Sequence, residues 1–113
     1  MASISIDGFA MLAGPRTAEE IIFEISQVIQ QSGQPYPRWY VGIASQPIQR
    51  LFDDHGVDDN QRDRYIYRRS ISSLEARQIE KHFLLLGTDG GPGGGSEATE
   101  WVYAYQKGIS TKP

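Results

Sequence analysis

Residues 39–55 read WYVGIASQPIQRLFDDH, and this stretch indicates the fold more strongly than any other part of the chain. Trp39 to Ala44 alternates in side-chain size, which is typical of a β-strand. Ser45 can cap a following helix, Pro47 suits its first turn, and Gly56 is a stop signal. The apolar face predicted for this helix consists of Ile48, Leu51 and Phe52.

The predicted strand has two unlike faces. One face carries Trp39, Val41 and Ile43, and the other carries Tyr40, Gly42 and Ala44. Because the second face is mostly small, another group can approach the backbone beside Tyr40.

Two longer helices flank this stretch. Thr17 and Glu20 form a capping-box pattern before an apolar stripe, which predicts a helix over residues 17–32 that ends at Gly33. Ser72 and Glu75 repeat the capping pattern and predict a second helix from Ser73 to Leu86. Its expected buried face consists of Ala76, Ile79, Phe83 and Leu86.

Two further strands are predicted. Tyr65 to Arg69 places Tyr65, Tyr67 and Arg69 on one face, and Trp101 to Tyr105 alternates its aromatic residues with Val102 and Ala104. A glycine-rich segment over residues 87–99 precedes the last strand and allows it to join the sheet at an edge or between earlier strands. Residues 1–16 are ambiguous, with a short strand or hairpin over Ser3–Gly8.

These elements predict a mixed α/β (α+β) fold: residues 1–113 form a single small domain with a three- to four-stranded sheet and about three helices. The chain has no cysteine, no apolar run that could span a bilayer and no signal-peptide pattern. These features lead us to expect a soluble, cytoplasmic protein. The net charge of −3 argues mildly against general nucleic-acid binding. Most arginines nevertheless lie between Arg38 and Arg77, which allows a local basic surface.

Several residue types that cleave phosphodiesters occur in and after the opening stretch. An arginine can bind two phosphate oxygens, a tyrosine or histidine can order or deprotonate water, and a single glutamate can anchor a magnesium ion that keeps most of its waters. The candidates in chain order are Tyr40, Arg50, His55 and Glu80.

The order Tyr40-Val41-Gly42, Arg50 and Ala76…Glu80 resembles the GIY-YIG nuclease domain, over roughly residues 39–86. The resemblance implies a nuclease that acts on DNA or RNA with Mg²⁺ or Mn²⁺. It implies that Tyr40 and Tyr103 or Tyr105 position water, that Arg50 stabilises the phosphate and that Glu80 holds the metal. Arg38, Arg68 and Arg69 would bind the flanking backbone.

The chain departs from the family pattern in two main ways. A helix occupies the place of the first GIY strand, and the strand Trp101–Tyr105 could replace it as in a permuted fold. The family's histidine usually lies four residues after the arginine, a position held here by Asp54. On an α-helix, Asp54 would align with Arg50, whereas His55 would face the core rather than a site.

These departures leave a second hypothesis open. The chain could have a GIY-YIG-like fold without nuclease activity and act as an interaction module that binds a protein or a nucleic acid. The oligomeric state and the biological pathway are not readable from the sequence.

Overall fold

The computed structural model describes residues 14–91 and 99–113. It contains a three-stranded antiparallel sheet together with helices. In chain order the elements are α1 (Ala18–Ser32), β1 (Trp39–Ala44), a π-helical segment (Gln49–Asp54), β2 (Tyr65–Arg69), α2 (Ser73–Leu86) and β3 (Trp101–Gln106). This arrangement confirms the predicted mixed α/β fold with about three helices. The strand or hairpin expected near the N-terminus falls on residues 1–13, which lie outside the described part.

The last strand of the chain is the central strand of the sheet. The order is β1-β3-β2, and both pairings are antiparallel. Tyr40 lies opposite Tyr105, and Gly42 lies opposite Tyr103. Tyr40 of β1 and the tyrosines of β3 therefore project from the same face at neighbouring positions.

The two faces of the sheet bury different kinds of side chain. One face packs against α1 and α2, and its core consists of Ile21, Ile25, Ile29, Trp39, Val41, Ile43, Ile66, Ala76, Ile79, Phe83, Val102 and Ala104. We call the other the tyrosine face, and its buried residues are Tyr40, Ala44, Leu51, Val57, Tyr65, Tyr67, Tyr103 and Tyr105. The alternation predicted for all three strands is confirmed.

Local hydrogen bonds explain where the helices begin and end. The Thr17 hydroxyl accepts from the backbone of Glu20, and the Glu20 carboxylate accepts from the backbone of Thr17. Ser72 accepts from the Glu75 amide. At the other ends, Gly33 and Gly87 take the left-handed conformation that terminates a helix at low steric cost.

Two predicted core positions lie at the surface. Ile48 is 45% exposed and Leu86 is 43% exposed. Ile48 immediately precedes the π-helical segment, and Leu86 is the last residue of α2. Leu51, in contrast, is fully buried.

Short backbone segments border both outer strands of the sheet. The Asp89 amide donates to the Trp39 carbonyl, and the Val41 amide donates to the Asp89 carbonyl. On the opposite side, the Arg16 amide donates to the carbonyl of Arg69. These bonds satisfy backbone groups that an open sheet edge would expose.

Candidate functional site

Four rings converge on the tyrosine face near one end of the sheet. The rings of Tyr40 and Tyr105 stack with centroids 5.1 Å apart, and the Tyr40 and Tyr103 rings are 6.3 Å apart. The imidazole of His55 lies 4.7 Å from the Tyr40 ring and 4.9 Å from the Tyr105 ring. We call these four residues the tyrosine–histidine cluster.

A glycine makes room for one of these rings. A Cβ atom at Gly42 would lie 2.6 Å from the Tyr103 hydroxyl oxygen and 2.7 Å from the ring carbon that carries it. The predicted approach to the small-residue face of β1 is therefore confirmed, and the approaching group is the phenol of the neighbouring strand.

Hydrogen bonds fix the proton positions on His55. Its Nδ1 lies 2.8 Å from the Lys112 carbonyl oxygen, which can only accept, so Nδ1 carries the proton. Nε2 is then an acceptor, and the Tyr103 hydroxyl donates to it at 2.8 Å. Tyr105 also donates to the Lys112 carbonyl, at 3.2 Å. The imidazole is oriented by a backbone carbonyl and accepts the proton of a buried phenol.

The π-helical turn brings His55 into this position. The His55 amide donates to the Arg50 carbonyl, five residues earlier, at 2.9 Å. In a π-helix the backbone hydrogen bonds join residues that are five apart, whereas in an α-helix they join residues that are four apart. The prediction of a regular α-helix over this segment is wrong, whereas the predicted alignment of Asp54 with Arg50 is confirmed by their ion pair. Its companion expectation, that His55 is buried, is confirmed, because the side chain is 4% exposed.

Arg50 lies at the solvent side of the cluster. Its guanidinium forms an exposed ion pair with Asp54, with Nε and Oδ2 3.5 Å apart, and such a pair contributes little to stability. The positive charge of Arg50 tends to lower the pKa of Tyr40, Tyr103 and His55, which places it electrostatically next to all three.

Glu80 approaches the cluster from α2. Its side chain is 6% exposed. Burial raises the pKa of Glu80, and nearby Arg77 partly opposes this rise. The Glu80 charge in turn tends to raise the pKa of both Tyr40 and Tyr103.

Burial dominates the protonation of the cluster. It raises the pKa of Tyr40, Tyr103 and Tyr105, so the phenols stay neutral at physiological pH. It lowers the pKa of His55, so the imidazole is also neutral and free to accept a proton at Nε2. The structure thus brings Tyr40, Arg50, His55 and Tyr103 together, with Glu80 close enough to influence two of them.

The three arginines predicted to bind nucleic acid have different surroundings. Arg38 is exposed. Arg69 is exposed on β2 and pairs with Glu100 at 3.1 Å. Arg68 is 2% exposed, and its Nε donates to Glu24 on α1 at 2.7 Å. Strand alternation turns Arg68 toward the helices, so its guanidinium supports the fold and is not presented to a polynucleotide.

One contributor to the site has no signal in the sequence. The Lys112 carbonyl acts through the backbone, and its contact with His55 spans 57 positions. Tyr105, by contrast, follows from the alternation that also predicts Tyr103.

Within the described residues, no group of three or more histidine, aspartate or glutamate side chains is arranged to hold a metal ion. A single carboxylate with bound water is a different arrangement, and magnesium accepts it. No helix in the described part of the chain is long and apolar enough to cross a membrane. Comparison with known proteins finds no matching family model, curated protein or solved structure.

Proposed function

We propose that this protein is a metal-dependent endonuclease of the GIY-YIG type, in which the last strand takes the place of the first motif strand. The observation that supports the proposal is the register of β1 and β3. It sets Tyr103 and Tyr105 beside Tyr40 on one face of the sheet, within reach of His55.

In the proposed reaction, Arg50 binds the scissile phosphate. Its fork can contact two non-bridging oxygens and neutralise the charge that develops on them. Its position at the solvent side of the cluster allows a polynucleotide to reach it without entering the core.

Tyr103 and His55 handle the proton. As a water molecule attacks phosphorus, its proton passes to the Tyr103 oxygen, while the Tyr103 proton moves to Nε2 of His55. The imidazole becomes an imidazolium ion, and the leaving alkoxide takes a proton from solvent. Tyr40 contacts the His55 ring and limits the positions that this ring can adopt.

Glu80 is the residue that would hold a divalent cation. A largely buried carboxylate whose charge acts on Tyr40 and Tyr103 suits this role. When bound, Mg²⁺ or Mn²⁺ supplies Lewis-acid stabilisation of phosphate charge.

A cleavage assay tests the proposal. Purified protein is incubated with branched, nicked and plain DNA and with RNA, with Mg²⁺, with Mn²⁺ and with a chelator. We expect metal-dependent cleavage that falls by about 10³-fold in Arg50→Ala and is lost in Glu80→Gln. Arg62→Ala and Glu19→Gln change exposed residues outside the cluster and should retain activity. The proposal fails if no substrate is cut, or if cleavage survives both Arg50→Ala and Glu80→Gln.

A second candidate function is a binding module without catalysis. The burial of Tyr103 to 1% exposure, with both His55 nitrogens already hydrogen-bonded, favours it. Such a protein would bind a polynucleotide or a protein partner without cutting, and Glu80→Gln would then leave its affinity unchanged.

A further inference from the structure

Three cationic side chains from three strand ends meet at one end of the sheet. Arg38 immediately precedes β1, Arg64 immediately precedes β2, and Lys107 immediately follows β3. The antiparallel register places these positions side by side, because Trp39 lies opposite Gln106 and Tyr65 lies opposite Tyr105. The three cations are therefore brought together by the strand topology, and their spacing in the sequence does not predict it.

These cations line a cavity of about 420 Å³. A neighbouring cavity of about 410 Å³ shares Arg38 and Lys107 with it, so the two form a continuous groove. The rest of the first cavity's lining is mixed: it includes the polar residues Ser110 and Thr111 and the apolar residues Val57 and Ile109. We call this region the sheet-end groove.

The charge balance of the sheet-end groove is positive. Arg38 and Arg64 form no side-chain ion pair with any described residue. Lys107 pairs with Asp89 at 3.4 Å, but both side chains are more than one-third exposed, which makes this contact weak. One acidic residue, Asp58, lies in the lining against the three cations. The groove thus offers donors to an anion on a protein whose overall charge is −3.

The groove adjoins the tyrosine–histidine cluster. Arg38 lies two residues before Tyr40, and Lys107 lies two residues after Tyr105. The segment that forms one wall continues to Lys112, whose carbonyl binds His55. The groove and the cluster therefore share neighbouring positions of β1 and β3 and the same C-terminal segment.

We propose that the sheet-end groove binds a phosphate group, and that this group belongs to the backbone of the polynucleotide strand held at Arg50. This inference rests on the proposed function for the identity of the ligand. Arginine forks bind phosphate oxygens in pairs, which suits Arg38 and Arg64. The hydroxyls of Ser110 and Thr111 are further donors in the same lining.

The first test measures binding without cleavage. A labelled single-stranded oligonucleotide and a duplex are titrated with the full chain in a chelator at several salt concentrations. We expect Arg38→Gln/Arg64→Gln to weaken binding by roughly tenfold or more at low salt. The slope of log affinity against log salt should fall by between about one and two. The matched control Arg62→Gln/Lys81→Gln removes the same charge from exposed sites outside the groove. An equal loss in both double variants would overturn the site.

The second test separates two sources of phosphate. Inorganic phosphate, pyrophosphate and the oligonucleotide are titrated separately while backbone amide shifts of Gly108, Ser110 and Thr111 are followed by NMR. Shifts with the oligonucleotide support a backbone site. Shifts with the small anions alone keep the anion site and overturn its assignment to a polynucleotide. If no probe shifts these amides, the site is refuted.

The two proposals fail separately. Binding that depends on Arg38 and Arg64 without any cleavage would refute the nuclease and leave the groove intact. Metal-dependent cleavage with unchanged affinity in the Arg38→Gln/Arg64→Gln variant would refute the groove alone.

Discussion

The Tyr103 hydroxyl and the Nε2 atom of His55 lie 2.8 Å apart, and this hydrogen bond joins the central strand to the end of the π-helical segment. Both side chains are almost fully buried. Because the Lys112 carbonyl fixes the proton on Nδ1, the phenol must be the donor to Nε2. The same bond therefore contributes to the stability of the fold and to the proposed chemistry, and substitutions can separate the two.

Tyr103→Phe removes the donor and keeps the ring. We expect the free energy of unfolding to fall by about 1–3 kcal/mol, because Nε2 remains buried without a partner. Cleavage, where it is detected, should fall by about 10²–10⁴-fold through loss of the proton path. Urea unfolding and single-turnover assays measure the two effects. Tyr36→Phe is the control, and a stability loss no larger than the control's would contradict the buried bond.

Gly42→Ala tests the close approach of Tyr103 to β1. The new methyl group would lie 2.6 Å from the phenol oxygen, so the ring must move and its bond to His55 must lengthen. We expect a loss of about 1–3 kcal/mol in unfolding free energy, which is typical of overpacking. Gly108→Ala is the matched control, since a Cβ there meets no atom within 4 Å. Equal unfolding midpoints in urea for the two variants would show that Tyr103 does not occupy this position.

Local sequence patterns account for most of the fold. The caps at Thr17 and Ser72 locate the helix starts, and alternation assigns the strand faces, including the tyrosines of β3. The strand order could not be read in the same way, because the position of β3 depends on pairings between distant residues. The glycine-rich segment is long enough for β3 to lie either at an edge of the sheet or between the other strands.

The candidate site was predictable in its residues but less so in its geometry. With α-helical geometry, His55 and Arg50 would lie on different faces of the helix. The segment is instead π-helical, and its composition does not indicate this. For Arg68, the face of the strand could be predicted but the ion-pair partner could not. Alternation alone places it on the face opposite Tyr67, and its partner Glu24 lies 44 positions away. Charge clustering in the sequence thus did not reveal that Arg68 is buried.

The contribution of His55 to the stability of the protein should decrease as the pH falls through the range below about 6.5. Burial lowers the pKa of His55 from its ordinary value of 6.5, so in this range the unfolded chain binds a proton that the folded state excludes. The His55 contribution to the free energy of unfolding therefore falls with decreasing pH until the folded pKa of His55 is reached. His55→Gln removes this contribution. Urea titrations at several pH values should give a shallower slope for the variant, and identical slopes would contradict a neutral buried imidazole.

Glu80→Gln should show the opposite pH trend. Burial raises the pKa of Glu80 above 4.5, so the folded state keeps a proton that the unfolded chain has already lost. The Glu80 contribution to parent stability therefore falls as pH rises from about 4.5 through the folded pKa of Glu80, and the glutamine variant lacks this loss. We expect the variant to gain stability relative to the parent across this range. A difference that does not vary with pH would contradict the raised pKa.

The same variant tests the metal proposal independently of cleavage. A cation that binds only the folded state raises the melting temperature in proportion to the logarithm of its concentration above its dissociation constant. Mg²⁺ or Mn²⁺ should therefore stabilise the parent at neutral pH and leave Glu80→Gln unaffected. Glu19→Gln controls for general charge effects, and equal stabilisation of all three proteins would remove Glu80 from the proposed metal site.

Lys112→Pro tests whether the backbone of Lys112 positions His55. The Lys112 amide donates to the His55 carbonyl at 2.9 Å, and its own carbonyl accepts from Nδ1 at 2.8 Å. Proline removes the amide donor and restricts the preceding residue, so the carbonyl should shift from Nδ1. We expect a loss of about 1 kcal/mol in unfolding free energy and a changed His55 tautomer signal in NMR. Lys112→Ala keeps the backbone and should match the parent within about 0.5 kcal/mol. An alanine variant as impaired as the proline variant would assign the effect to the side chain instead.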